Sequence, residues 1–494
     1  MFDIAAVFTF TNIMFTFLGT TVGVTFGAVP GVTTTMTVAL FLPFTFGMAP
    51  VAAFGFLLGI YAGGQYGGAI PAILINTPGT PSASATMLDG YPMAQQGRAV
   101  EALSTAAISS FVGGIFSCIV LILLAPRLAQ IALMFGPAEY FAVGVFGLSI
   151  VASLSTDNFI KGFITAGIGL LIATVGMDPI TGSIRLTFGS RDLIGGINFI
   201  PALIGLFAVP EVISKLEDIF KKDKSMENIV NISGKMVSLK TLKANAFNFL
   251  RSGIIGVLVG IAPGTGGSTS AWISYSEAKR TSKNKELFGK GNIEGVIAPE
   301  TANSALTGAC LVPMMTLGIP GDAITAIILG AFLIQGLPVG PDLFNNHPDV
   351  VTGIYIMLIL ANIFMFAYGM LGIRVFAKIL AIPTNILMPF VLILCLVGAY
   401  ATNLSIFNMK VAFVIGIFAY ILKKAKFPAP PILIGIILGP IMETNFRRAV
   451  TISHGSLDIF LRPISLTLLL ISLLAFLLPI LSQQYAKYKK SKSA

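Results

Sequence analysis

Two short stretches of this chain place helix-breaking residues directly ahead of a row of hydroxyls. In the first, Pro30 and Gly31 precede Thr33, Thr34 and Thr35; in the second, Pro263 and Gly264 precede Thr265, Gly266, Ser268, Thr269 and Ser270. Proline lacks an N–H and clashes with the preceding turn, and glycine admits left-handed backbone, so each pair ends a helix and permits a turn. Amides freed at the start of the next helix attract anions. Hydroxyls cap helix starts and also donate to carboxylate oxygens. Asn76 and Thr77 stand ahead of Pro78 and Gly79, while Asn303 and Ser304 stand upstream of Pro313 and of Pro320 and Gly321. The order of residues reads Asn303 and Ser304 as the counterparts of Asn76 and Thr77. Side chains of these types bind a carboxylate or a sodium ion, because they offer both donors and acceptors.

The acids Glu300 and Asp322 bracket the charge-free second landmark. A carboxylate inside a membrane span is a functional candidate by default, here for coupling or gating. Other chemistry is sparse. His347 and His454 are isolated, and Cys118, Cys310 and Cys395 lie far apart in apolar runs, so neither a zinc site nor a disulfide framework is expected. No catalytic group and no cofactor is expected. Tyr61, Tyr66 and Trp272 read as packing or interface residues, and Asp157, Asp178 and Arg185 as loop residues.

The elements that position these groups are set by composition. Of 494 residues, 55% are hydrophobic and 11% charged, against about 25% charged in soluble domains. From Ile4 to Leu88 there is no Asp, Glu, Lys or Arg. The expectation is an all-α polytopic membrane protein with roughly 10 to 14 membrane elements, since each span needs about 20 apolar residues. Continuous apolar runs argue against a β-barrel. The net charge of +10 follows from basic residues flanking the spans, which is the positive-inside pattern and not a nucleic-acid surface. The N-terminus lacks the basic flank of a cleavable signal.

The landmarks repeat. Gly23, Gly27, Pro30 and Gly31 recur as Gly256, Gly260, Pro263 and Gly264, an offset of 233 (263 minus 30). Pro71, Pro78 and Gly79 recur as Pro313, Pro320 and Gly321, an offset of 242 (313 minus 71). The basic loop at 277–291 supplies the difference. A lone Gly or Thr is ordinary in membrane packing; two ordered landmarks with the same internal spacing indicate a duplication. The chain divides into an N-terminal repeat at 1–213, a basic cytoplasmic connector at 214–246, a C-terminal repeat at 247–484 and a basic cytoplasmic tail at 485–494. Lys and Arg put the 277–291 loop in the cytoplasm, and their absence puts 335–350 outside. Arg98 places the loop after the first half's second landmark in the cytoplasm, which makes the repeats inverted. Paired broken helices at the midplane are the binding-site signature of inverted-repeat transporters.

On these residues the chain resembles the large membrane subunit of the tripartite tricarboxylate transporter family. The likeness runs through "GAVPGVTTTMTVALFLPFTFGM", "YGGAIPAILINTPGTPSASATMLDGYPMAQQGRA", "GMDPITGSIRLTFG", "GIAPGTGGSTSAWISY" and "FGKGNIEGVIAPETANSALTGAC" and covers most of residues 15–345. Beyond about residue 350 it rests on hydropathy. The resemblance implies a permease of the bacterial inner membrane that imports citrate or related carboxylates, usually with sodium. It implies two partners, a small membrane subunit and a periplasmic solute-binding protein. Carried over residue by residue, one half of the site is Pro30, Gly31, Thr33, Thr34, Thr35, Asn76, Thr77, Pro78 and Gly79. The other is Pro263, Gly264, Thr265, Gly266, Asn303, Ser304, Pro320 and Gly321. Where the family commonly has a second asparagine, this chain has Ser304, which bears on ligand preference.

The landmarks themselves contain no Lys or Arg, so a multiply charged anion needs co-transported cations. A dianion entering a negative interior faces about 4.6 kcal/mol per 100 mV, which two monovalent cations cancel and a third converts into a drive. Sodium is expected over protons, because the sites offer oxygen ligands and few titratable groups. The competing readings are a transporter of the same fold for an aromatic acid or neutral metabolite, proton coupling, and a channel. A membrane enzyme would need clustered acids, His or Cys at membrane depth.

Overall fold

The computed structural model describes residues 7–154, 159–221, 232–264, 266–373, 375–376, 380 and 384–492. Thr265 and Asp157 lie outside them, as does part of the connector. Five helices among the described residues are long and apolar enough to cross a membrane: Phe10–Gly27, Ala83–Ala132, Phe199–Glu217, Pro348–Leu371 and Ile406–Lys424. Shorter apolar helices lie between them. Their outer faces are greasy: Leu470 and Leu474 on the last helix and Val414 and Ile421 on Ile406–Lys424 are exposed, while Thr, Ser and Asn side chains are buried. That inversion of polarity is what a lipid solvent selects. The chain is an all-α multi-pass membrane protein.

One small hairpin departs from the all-α expectation. Gly176–Met177 pairs antiparallel with Ile184–Arg185. Asp178 lies in the loop of this hairpin, as expected, and is buried at 3% exposure. Its Oδ1 accepts the Ile180 and Thr181 amides at 2.8 and 3.0 Å. Its Oδ2 meets Arg447 at 2.8 Å and Arg185 at 3.3 Å, and both arginines pair with Glu443. Four charges thus pin the hairpin to helix Pro430–Ile452. The backbone amides first, and then Arg447, hold the Asp178 carboxyl well below the usual carboxylate range.

Both expected breaks are present. Gly31 and Gly264 have φ of 86° and 82°, a conformation L side chains rarely adopt. After the first break come two helices, Thr34–Phe41 and Pro50–Gly67, because Pro43, Gly47 and Pro50 interrupt the apolar run. Thr33 caps the first, accepting the Met36 amide at 3.2 Å. In the second half Ala246–Ile261 turns back at the break into Gly266–Thr281, so that Arg251 hydrogen-bonds Thr281.

Contacts recur at the offsets read from the landmarks. Gly27 packs on Gly64 and Gly67; Gly260 packs on Leu306 and Ala309, each partner 242 residues further on (306 minus 64, 309 minus 67). Gly79 abuts the Gly27 carbonyl and Gly68; Gly321 abuts the Gly260 carbonyl and Cys310. The Thr77 amide donates to Pro71 O at 3.3 Å and the Ile319 amide to Pro313 O at 3.3 Å. Asn76 and Gly318 are both left-handed helix caps, with φ of 54° and 72°. At the offset of 242, Asn76 corresponds to Gly318 and Asn303 to Tyr61. The sequence-order pairing of Asn76 with Asn303 is corrected accordingly: Asn76 is there because Asn, after Gly, best tolerates the left-handed region.

Loops gather on two faces. On one, Gln96 donates to Lys290 O, Arg98 to Gly291 O, and the Val100 amide to Ser233 O. On the other, Gln335 donates to Thr45 O. The "DGYP" motif serves the first face. Buried Asp89 accepts the amides of Gly289, Gly291 and Asn292 at 2.8–3.0 Å and the Tyr275 hydroxyl at 2.8 Å.

Candidate functional site

The two breaks meet around one cavity of about 190 Å³. Thr33, Thr34 and Thr35 line it from the first break, Gly266, Gly267 and Ser268 from the second. The second landmarks contribute Thr80, Pro81 and Ser82 in one half and Asp322, Ala323 and Ile324 in the other, and Gln65 closes the wall. At about 30 Å³ per water, the space is that of a few water molecules.

The polar inventory of the wall divides into satisfied and unsatisfied groups. Asp322 caps helix Ala323–Ile334 in a reciprocal box with Thr325, and its Oδ2 accepts the Tyr61 hydroxyl at 2.7 Å. Thr80 and Ser82 hydroxyls pair at 3.0 Å. By contrast, Thr34 Oγ1 and both amide atoms of Asn303 are buried without a hydrogen-bond partner. Asn303 stands directly behind the cavity wall: a methyl group on Gly267 would lie 2.5 Å from its Oδ1. Buried polar atoms are ordinarily paired, and each orphan costs about 1–3 kcal/mol. Other such atoms lie away from the cavity, among them Ser109 Oγ and Tyr355 Oη; Thr34 and Asn303 are the ones beside it.

Other nominated residues lie elsewhere. Asn76 is exposed and half-buried Thr77 and Pro78 flank the wall without lining it. Gly79 and Gly321 are close-approach points, and the Gly264 amide donates to Gly321 O at 2.8 Å, tying the second half's two landmarks together. Pro30 and Gly31 form the first turn; Pro263 and Pro320 are buried supports. Buried Ser304 donates no side-chain bond to the cavity; its carbonyl accepts from Thr307 at 2.6 Å. Glu300 is buried apart from the cavity, accepting Thr86 at 2.6 Å and Ser110 at 2.9 Å. Sequence reasoning missed Gln65, Thr80 and Ser82. The last two follow Pro78-Gly79 as Thr33–35 follow Pro30-Gly31, so the signal was present. It also missed a cation beside the site: a methyl group on Gly31 would lie 2.7 Å from Lys215 Nζ, although Lys215 is nearly two hundred residues away in sequence.

A multi-pass helical chain whose broken helices converge on a small polar cavity has the architecture of a membrane transporter. Residues 13–434 match the tripartite tricarboxylate transporter TctA family, and the chain belongs to it. It is thus a permease component of a tripartite transporter, a system with further subunits and a binding protein. The chain is 38% identical over 480 residues to an uncharacterized 52.8 kDa protein in the TAR-I ttuC′ 3′ region of Agrobacterium vitis, covering 97% of this chain and 95% of that one. It is 37% identical over 227 residues to an uncharacterized protein in the TAR-II ttuC′ 3′ region of the same organism, covering 46% of this chain and 94% of that one. No solved structure matches.

Proposed function

We propose that this permease sits in the bacterial inner membrane and imports organic di- or tricarboxylates by sodium symport with alternating access. A periplasmic solute-binding protein delivers the solute, and a small membrane subunit completes the assembly. The observation that carries the reading is the convergence of both breaks on one cavity beside the unpartnered Thr34 hydroxyl and Asn303 amide. These groups can donate to carboxylate oxygens where no water need remain.

Sodium coupling is favoured by Asp322. A carboxylate in the wall repels an anionic guest unless a cation lies between them. Hydroxyls, backbone carbonyls and a single carboxylate are hard oxygen donors. No cluster of three or more His, Cys, Asp or Glu occurs among the described residues, so a transported alkali cation fits better than a resident transition metal.

An inverted pair of repeats, 1–213 and 247–484 about the 214–246 connector, is supported by the loops. The loop after the first landmark of one half meets the loop after the second landmark of the other, on both faces: Thr45 with Gln335, and Gly291 with Arg98. A duplication of unchanged orientation would put equivalent loops together instead. Positive charge assigns the Arg98–Gly291 face and the tail at 485–494 to the cytoplasm. On this reading the broken elements are re-entrant, entering and leaving the bilayer on the same side.

The test is uptake by the assembled transporter in proteoliposomes, offering citrate, succinate, benzoate and glucose. Sodium-dependent citrate or succinate uptake supports the reading. Uptake indifferent to sodium and abolished by a protonophore would overturn the coupling; preference for benzoate or glucose would overturn the substrate class.

A further inference from the structure

A second cavity of about 300 Å³ adjoins the first, and the two share Thr33, Thr35, Pro81 and Ala323. Beyond that shared wall it is lined by apolar side chains such as Leu206, Phe207 and Phe427, with one exception. Across it Lys423 Nζ meets Glu211 Oε1 at 2.8 Å. The two charges come from different elements: Glu211 from Val209–Lys221, Lys423 from the last turn of Ile406–Lys424. One position further, Lys424 pairs with Glu217 at 2.8 Å. Both helices end on the face where the basic connector begins, so the vestibule opens toward the cytoplasm. Lys215, one turn beyond Glu211 on the same helix, extends toward the break at Gly31. The passage therefore carries Lys423 in its wall and ends inward at the cavity between the breaks.

Resting on the carboxylate reading above, we propose that the Glu211–Lys423 pair is the cytoplasmic latch of this permease and Lys423 a second, transient carboxylate subsite. A solute leaving the central cavity displaces Glu211 from Lys423, takes its place, and departs as the pair reforms. The physics suits a latch. With side-chain exposures of 27% for Glu211 and 43% for Lys423, the pair is partly solvated. Such pairs are worth about 0–1 kcal/mol, weak enough for an arriving carboxylate to exchange. A deeply buried pair would not open so readily.

Opposite signs for two single variants separate a latch from a structural ion pair. In counterflow by the assembled transporter, radiolabelled citrate and succinate are offered at the cytoplasmic face. Glu211→Gln removes the competitor for Lys423 and lowers the half-saturating concentration about threefold. Lys423→Met removes the subsite and raises it roughly five- to tenfold. A structural pair would make both variants lose activity together with melting temperature. Both variants moving the same way, or both matching wild type, overturns the latch while leaving the carboxylate reading intact. Exchange of neither probe by wild type overturns that reading and the latch with it.

Discussion

Replacing Asn303 with leucine separates binding from folding. The Asn303 side chain is 1% exposed and neither of its amide atoms has a partner. A leucine keeps the branched shape and deletes an unsatisfied amide, a gain of up to about 1–3 kcal/mol that offsets the overpacking by its bulkier methyl groups. Melting temperature is expected to hold or rise. The bound state loses a hydrogen bond to a charged group, worth about 1.5–3 kcal/mol. At 1.4 kcal/mol per tenfold, the solute should bind roughly 10- to 150-fold more weakly. The assays are thermal denaturation of purified protein and the sodium-dependent uptake constant in proteoliposomes. Thr86→Val is the contrasting control. It strips one of two hydroxyl donors from buried Glu300, so it should lower the melting temperature and leave the uptake constant of the surviving protein alone. If Asn303→Leu melts early and binds normally, the amide supports the fold and the site assignment fails.

Asp89→Asn weakens three amide contacts and one hydroxyl contact to a buried carboxylate; a loss of about 1.5–3 kcal/mol is expected in denaturation, with solute affinity unchanged. Gly79→Ala and Gly321→Ala push a methyl into the opposing backbone and should each cost about 1–3 kcal/mol, equal effects at equivalent sites being the signature of the duplication. The hairpin network has a defined pH dependence. Because the Asp178 carboxyl is held below its ordinary range, its contribution is fully present above about pH 4 and fades only as pH falls through the lowered value. Protease should therefore begin to cut residues 176–196 only in strong acid, and Asp178→Asn should expose them at neutral pH.

Much of this architecture was legible because it depends on residues with few alternatives. Proline and glycine mark the breaks wherever they occur, and the duplicated spacing survives because the glycines are close-packing points: only they admit the partner backbone at Gly27, Gly79, Gly260 and Gly321. Polar roles were harder to read. Asn76 and Asn303 look alike in sequence, yet one is a left-handed cap and the other an unpartnered buried amide; only backbone conformation and burial distinguish them. Glu300 and Asp89 are specific motif residues whose carboxylates hold elements together, away from the cavity wall. Lys215 and Lys423 were invisible as site neighbours, because tertiary packing alone brings them to the breaks.

The central claim is that both breaks hold one solute between them. Single cysteines at Thr35 and Ser268, whose side chains face the cavity from opposite halves, test it in a chain whose native cysteines are all buried. With sodium present, citrate or succinate should slow alkylation of Thr35→Cys and Ser268→Cys alike, in the same concentration range that drives uptake. Protection of one position only, or of neither while uptake proceeds, would contradict the account.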